Sequence, residues 1–147
     1  MIDRRYIGHE LTPFSVDVEA GRLRFFAKAT DQTDPVYRDV EAAKRAGYPS
    51  IPVPPTFFLC LEAESPNPGE MRELLDIDIG RVLHGEQEFV YHRMAYAGDR
   101  LTFASRVEDI YDKKNGALEF VVRAVHVTNQ RGEAVAELRG TLVVRNG

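Results

Sequence analysis

The sequence predicts an α+β fold, a single domain over residues 1–147 in which an antiparallel sheet wraps around one long central helix. Three observations predict it. The first third of the chain is mostly helical in its periodicity, the segment 56–64 begins apolar nearly all round, and strand follows strand from Val82 onward. A helix without a polar face is normally buried, and a run of strands after a block of helices is typical of an α+β domain rather than of alternating βαβ units.

Four segments precede the central helix. Alternating apolar and polar residues over 14–18 predict a short strand. Residues 20–29 change to a helical period, with their apolar side chains on one face. Residues 30–35 are rich in Thr, Asp and Pro, which favour turns over helix interiors. A short helix is predicted over 40–46, with Asp39 as its N-cap.

A proline-rich stretch leads into the central helix. Residues 49–55 contain four prolines and can form neither a helix interior nor a central strand. Residues 56–64 are predicted to be the buried helix, with Phe57 and Phe58 on its core face. The segment 65–69, with two prolines and a glycine, ends it.

The remainder of the chain is predicted to be sheet after one helical turn over 70–75. The pair Asn115-Gly116 is a strong β-hairpin signal. The clearest strand segments are 87–92, 101–107, 118–127 and 135–144.

Composition argues against several classes of function. The net charge is −4 and the basic residues are scattered, which disfavours nucleic acid as a partner. No run approaches the roughly 18 apolar residues of a membrane span, and residues 1–6 lack the apolar core of a secretory signal. The lone cysteine, Cys60, suits a reducing compartment, so a cytoplasmic location is expected. The four histidines lack ligand spacing, so no metal site is expected.

Two blocks of residues carry a family resemblance. Residues 31–37 read Asp-Gln-Thr-Asp-Pro-Val-Tyr, and the central helix opens at residues 53–58 as Val-Pro-Pro-Thr-Phe-Phe. Residues 81–93 read Arg-Val-Leu-His-Gly-Glu-Gln-Glu-Phe-Val-Tyr-His-Arg and are followed by Ala-Gly-Asp at 97–99. The combination resembles the MaoC-like dehydratases and (R)-specific enoyl-CoA hydratases, which have a hot-dog fold and act on acyl thioesters. The second block resembles their N-terminal-type domain.

The resemblance implies that the catalytic pair of the family is absent. The family's turn reads D-x-N-P-x-H, in which the Asp and the His act on one catalytic water. Aligned on the proline, this chain has Gln32 at the Asp, Asp34 at the Asn and Tyr37 at the His. Pro54 and Pro55 stand where the family's helix offers a backbone N–H group to the thioester oxygen, and proline has no N–H.

Several residues remain as candidates. Asp31, Tyr37 and His84 are the catalytic candidates. His84 and Glu86 are two apart, so on a regular strand they are expected on one face, opposite the N-terminal end of the central helix across a shared groove. The predicted substrate-binding residues are Tyr37, Val53, Pro54, Pro55, Thr56, His84, Gly85 and Glu86.

The resemblance implies a paired assembly, because the family works as double hot dogs in which one half can lose its catalytic residues and accommodate the acyl chain. The leading hypothesis is such a subunit of an (R)-specific enoyl-CoA hydratase or 3-hydroxyacyl-thioester dehydratase, in a homodimer or with a catalytic MaoC-like partner. The substrate would be a thioester of CoA or of acyl carrier protein, with no cofactor. One alternative is a self-sufficient hydratase or thioesterase with a displaced site, for which Glu62 and Glu64 are the helix carboxylates. The other is a non-enzymatic acyl-thioester-binding module.

Overall fold

The computed structural model describes residues 1–146 and contains four α-helices and five strands within them. In chain order the elements are β1 (Phe14–Asp17), α1 (Ala20–Ala29), α2 (Val40–Arg45), α3 (Phe57–Glu62), α4 (Glu70–Leu74), β2 (Val82–Tyr91), β3 (Arg100–Lys113), β4 (Leu118–Thr128) and β5 (Ala134–Arg145). Short 3-10 turns lie at Arg4–Tyr6, Pro35–Tyr37 and Ile79–Arg81.

The five strands form one antiparallel sheet in the order β1-β3-β4-β5-β2. The long strands β3, β4 and β5 follow one another as hairpins, and β1 and β2 form the two edges. The turn between β3 and β4 contains Asn115 and Gly116 in left-handed conformations, with φ of 54° and 82°. Asn and Gly tolerate that conformation best, so the predicted hairpin is confirmed. The predicted α+β class is confirmed as well.

Helix α3 packs into the main core against this sheet. Phe57 and Phe58 are each 3% exposed and Leu61 is 1% exposed. They share one cluster with residues of every strand except β2, and Phe89 of β2 packs against the edge of that cluster. The buried face of α3 is therefore the one that the sequence predicted, while Leu59 and Cys60 are half-buried.

The central helix is shorter than predicted. It occupies Phe57–Glu62, six residues inside the predicted segment 56–64. The buried central helix is confirmed, and only its predicted length is too great. Thr56 caps its start without a side-chain hydrogen bond, and Ala63 ends it. The flanking prolines limit the helix on both sides, because proline supplies no backbone N–H to a helix interior. The longest helix is instead α1, with ten residues.

Phe58 should dominate the stability of this core. We expect Phe58→Ala to lower the free energy of unfolding by about 3–5 kcal/mol, because it leaves a cavity between α3 and the sheet. Phe25→Ala is the matched control, since Phe25 is 73% exposed, and it should cost no more than about 0.5 kcal/mol. Urea unfolding of both variants measures the difference. Equal midpoints for the two would mean that α3 is peripheral.

Candidate functional site

The turn that resembles the family's catalytic segment uses its polar side chains for its own backbone. The Gln32 Oε1 accepts a hydrogen bond from the Asp34 backbone N–H at 3.0 Å, and the Asp34 Oδ1 accepts one from the Val36 N–H at 3.1 Å. Asp31 is exposed, with φ of 52°, at the end of α1. A left-handed residue commonly follows the end of a helix, and Asp tolerates that conformation better than most residues other than Gly and Asn. These three side chains therefore have structural explanations.

Tyr37 is the half-buried member of this segment. It ends the 3-10 turn, and its pKa is raised by burial first, and then by the neighbouring Tyr48 and Asp34. A phenol already releases its proton far above neutral pH, so a raised pKa makes Tyr37 a still poorer acid than its unperturbed form. The Tyr48 ring packs 6.2 Å from the Tyr96 ring, and Tyr96 pairs with Pro52. Tyr48 therefore packs near the proline-rich stretch and is close enough to Tyr37 to affect its pKa.

The N-terminal end of α3 is built from the predicted substrate-contact residues 53–56. Val53 and Pro54 are buried, and Pro55 and Thr56 are exposed. The Val53 N–H donates to the Ala95 carbonyl at 2.8 Å, and the Pro54 carbonyl accepts from the Phe57 N–H at 3.0 Å. The segment is held firmly by the backbone, and its two prolines have no N–H to donate.

His84 and Glu86 lie on opposite faces of the sheet, so the prediction that they share a face is wrong. The register of β2 against β5 shifts between them: His84 pairs with Leu142, and Glu86 pairs with Thr141. Paired residues share a face and adjacent residues alternate, so this bulge separates the two side chains. Gly85 makes the bulge possible, because an added Cβ there would lie 2.8 Å from a methyl group of Val143.

His84 and Glu86 act on different ionisable groups, one on each face of the sheet. His84 lies on the helix-facing side, where its charge acts on the pKa of Glu62. Glu86 lies on the outer side, where its charge acts on the pKa of Arg139. The two residues therefore belong to different environments.

The structure does not bring the predicted groove together within one chain. The Tyr91 hydroxyl donates to the Pro55 carbonyl at 2.7 Å, so the N-terminal end of α3 lies at the far end of β2. His84 lies seven residues earlier in this strand, about 23 Å from Tyr91 along the strand at ~3.3 Å per residue, and Glu86 lies on the opposite face of the sheet. The prediction that residues 53–56 face His84 and Glu86 across one groove is therefore wrong. Substrate contact by each residue singly stays a prediction.

Glu62, at the C-terminal end of α3, lies in a site that the sequence reasoning had named only as a thioesterase alternative. Its side chain is 6% exposed, and its Oε1 lies 2.5 Å from an Arg123 guanidinium nitrogen. Burial raises the pKa of the Glu62 carboxyl, and the charges of Arg123 and His84 oppose that effect. The signal in the sequence was Arg123 itself, because it stands between Val121 and Val125 on the apolar face of β4.

The other groups on α3 are placed differently. Glu64 lies beyond the helix, exposed, and forms an ion pair with Arg22 of α1. Cys60 is half-buried in an apolar depression beside Phe25 and Phe57. Glu64 is therefore a surface ion-pair residue.

Residues 1–146 contain neither a cluster of metal ligands nor a membrane-spanning helix. No cluster of three or more metal-ligating side chains occurs in that range. Within the same residues, no helix has the length and apolar character needed to cross a membrane.

Comparison with known proteins identifies the family. The profile described as FAS1-like, dehydratase domain region, matches residues 5–138. The chain belongs to this family. A UPF0336 protein of Saccharopolyspora erythraea is 38% identical to this FAS1-like dehydratase-region protein over 145 residues, which cover 98% of this chain and 92% of the relative.

Solved structures agree with this assignment. A chain of the C-terminally truncated HadBC (3R-hydroxyacyl-ACP dehydratase) complex from Mycobacterium tuberculosis is 28% identical, with a TM-score of 0.78, over 94% of this chain and 96% of that one. A MaoC-like dehydratase is 26% identical, with a TM-score of 0.83, over 97% of this chain and 43% of that longer one. The FAS1-like dehydratase-region chain therefore has the hot-dog fold of the MaoC-like dehydratases, as the resemblance implied.

Glu62 should make the stability of the protein depend on pH. In the folded state the pKa of the Glu62 carboxyl is raised above its ordinary value of 4.5, which applies to the unfolded chain. As the pH rises past 4.5, the unfolded chain therefore releases the Glu62 proton before the folded protein does. The free energy of unfolding then decreases with rising pH. The Glu62→Gln substitution replaces the titrating carboxyl with an amide, which removes this contribution to the pH dependence. We expect the melting temperature of the wild type, relative to the Gln variant, to decrease between pH 4.5 and pH 7. Thermal unfolding of both proteins across that range measures it, and a constant difference would contradict the expectation.

Proposed function

We propose that this chain is the non-catalytic, acyl-accommodating subunit of an (R)-specific enoyl-CoA hydratase or 3-hydroxyacyl-thioester dehydratase, and that a partner chain supplies the catalytic Asp and His. The observation that carries the proposal is the turn at residues 31–37. There Gln32 and Asp34 bond the turn's own backbone, and a tyrosine with a raised pKa stands in the position of the family's histidine.

The chemistry of hydration explains how this observation supports the proposal. Adding water to a 2-enoyl thioester requires a base for the water, an acid for the α-carbon, and a donor for the thioester oxygen as enolate charge develops. Gln32 has no basic group, and Tyr37 is a poor acid at neutral pH. Pro54 and Pro55 have no N–H at the start of α3. The chain therefore lacks each of the three parts at the family's positions.

The edge strand β2 supports a paired assembly. It has ten residues and lies at the margin of the sheet, where its outward backbone groups have no strand to pair with among residues 1–146. Leu83, Val90 and Tyr91 on it are between 43% and 49% exposed. A long edge with apolar side chains is a template for another strand, and pairing two such edges would extend the sheet across two subunits.

The comparisons also support a paired assembly. One similar structure is described as a complex of a 3R-hydroxyacyl-ACP dehydratase, and in another this chain matches less than half of a longer MaoC-like chain. A CoA or acyl-carrier thioester as substrate, with no cofactor, completes the proposal. The lone cysteine and such a substrate fit a cytoplasmic location.

The purified chain alone should hydrate crotonyl-CoA negligibly. Loss of one oxyanion donor costs about 10²–10³ in rate, and loss of the general acid and base costs a similar factor or more. The measurement is the absorbance of the enoyl thioester, with the chain alone, a MaoC-like partner alone, and the two together. Activity is expected only where the partner is present.

A displaced active site would give the opposite result. Robust turnover by the isolated chain that Asp31→Asn abolishes would overturn the proposal. Asp76→Asn is the matched control, because Asp76 is also exposed and has the same φ of 52° in another part of the chain. Equal loss in both variants would indicate a general effect on folding.

The chain should associate in solution through β2. We expect light scattering to give the mass of two chains at micromolar concentration, because the unpaired edge is long and partly apolar. Hydrogen exchange should then protect the outward amides of Val82–Tyr91 more strongly than those of the other edge strand, Phe14–Asp17. A monomer at micromolar concentration would contradict pairing of this chain with itself.

A further inference from the structure

The edge strand β2 carries an unbalanced negative charge. The strand contains two glutamates, Glu86 and Glu88, and neither lysine nor arginine. Both glutamates are exposed, and both lie on the outer face of the sheet, paired in register with Thr141 and Arg139 of β5. No ion pair within residues 1–146 involves either of them. The middle of this edge is therefore acidic.

Arg139, which faces Glu88 in the register, forms its ion pair with another residue. Its Nε donates to the Glu108 carboxylate at 2.5 Å, and Arg106 lies 3.8 Å from the same carboxylate. The hydrogen bond to Glu108 is the main reason that the pKa of Arg139 is raised, and the charges of Glu88 and Glu86 act on it more weakly. Arg139 therefore offsets only part of the charge on β2.

Pairing of β2 with the same strand of a second copy would bring these glutamates together. The strand has ten residues, so antiparallel pairing about a two-fold axis overlaps most fully when the axis passes close to Gln87. Paired residues share a face. An axis at Gln87 meets that condition, and it places Glu86 of each copy opposite Glu88 of the other. An axis one residue away, at Glu86 or at Glu88, places that glutamate opposite its own copy.

Such an arrangement weakens the pair. Directly opposite side chains on antiparallel strands have Cβ atoms about 4.5–5.5 Å apart, and like charges at that separation are destabilising. The separation is shorter than the Debye length of about 8 Å at physiological salt, so the repulsion is only partly screened. Four carboxylates close to one axis therefore oppose self-pairing.

The complement of this edge is a strand with basic side chains. Lysine or arginine at the two facing positions would meet Glu86 and Glu88 as opposite-charge pairs, which stabilise adjacent strands. Charged side chains on edge strands commonly prevent unwanted pairing, and repulsion of the wrong partner contributes to specificity as attraction of the right one does. Leu83 and Val90, both partly exposed, provide apolar contact on either side of the acidic centre. The edge thus combines apolar contact with a charge that discriminates between partners.

We propose that Glu86 and Glu88 select the partner of this subunit. They weaken the pairing of β2 with a second copy, and they favour a chain whose own edge strand has lysine or arginine at the two facing positions. The proposal rests on the edge pairing that forms part of the function proposed above. It adds the chemistry of the partner's interface, and it makes the self-pair the weaker of two assemblies.

A charge-reversed copy of the chain provides a partner of the stated chemistry. Glu86→Lys/Glu88→Lys puts two lysines on a β2 strand that is otherwise identical. Wild-type and reversed chains, one of them carrying a mass tag, are mixed in equal amounts in ammonium acetate, and native mass spectrometry counts the three kinds of pair at equilibrium. If each like-charged pair is about tenfold weaker than the mixed pair, about nine pairs in ten should be mixed, against about half for random pairing. The excess should decrease as the salt is raised to about 0.5 M.

Two further variants tie the selection to this edge. Glu10→Lys/Asp17→Lys makes the same change in net charge near the opposite edge strand, β1, and it should pair with the wild type at random. Glu86→Gln/Glu88→Gln removes both charges without adding any. It should associate with itself about tenfold more tightly than the wild type in sedimentation experiments, and it serves if the lysine variant fails to fold. An equal excess of mixed pairs with the β1 variant, or unchanged self-association of the glutamine variant, would overturn the proposal.

The outcomes also separate this proposal from the function on which it rests. If every chain stays monomeric, alone and in mixtures, pairing through β2 is wrong and this proposal is wrong with it. If the chains pair but mix at random, the edge pairing stands and selection by charge is wrong. If mixing is selective while the isolated wild type hydrates crotonyl-CoA, selection by charge stands and the non-catalytic role is wrong.

Discussion

Burial of a short helix against a long antiparallel sheet is the interaction on which the rest of this structure depends. Helix α3 has only six residues, and an isolated helix of that length is unstable in water. It persists because Phe57, Phe58 and Leu61 are almost wholly buried, and burying side chains of this size contributes about 1.5–3 kcal/mol each. The proline-rich approach fixes where the helix begins, so the same packing sets the position of the candidate site.

The proline-rich approach also separates fold from chemistry in this family. Prolines at 54 and 55 are compatible with the start of a helix, since the first N–H groups of a helix have no partner within it. Those same N–H groups are what an oxyanion requires. Prolines at this point are therefore compatible with the fold and remove two backbone N–H groups. The turn at residues 31–37 likewise keeps its shape, because Gln32 and Asp34 accept hydrogen bonds from its backbone.

The Glu62–Arg123 pair places a polar group inside an otherwise apolar packing layer. Removing two charges from water is costly, and a buried ion pair often stabilises a fold less than apolar residues of the same size would. Arg123 is partly exposed, which lessens that cost. The pair is therefore expected to add little to the stability of the fold, although its two side chains lie close together.

The sequence by itself determined the α+β class, the ends of α1, the Asn115-Gly116 hairpin, and the absence of the family's catalytic residues at 32 and 37. These features depend on local periodicity, turn chemistry and residue identity. All three can be determined from the sequence without knowing which residues contact one another in the fold. Only the tertiary structure decided the faces of His84 and Glu86, because a single bulge at Gly85 reverses the alternation of a strand. It alone joined Glu62 to Arg123, since 61 positions of chain separate them and no local pattern records which strand packs beneath a helix.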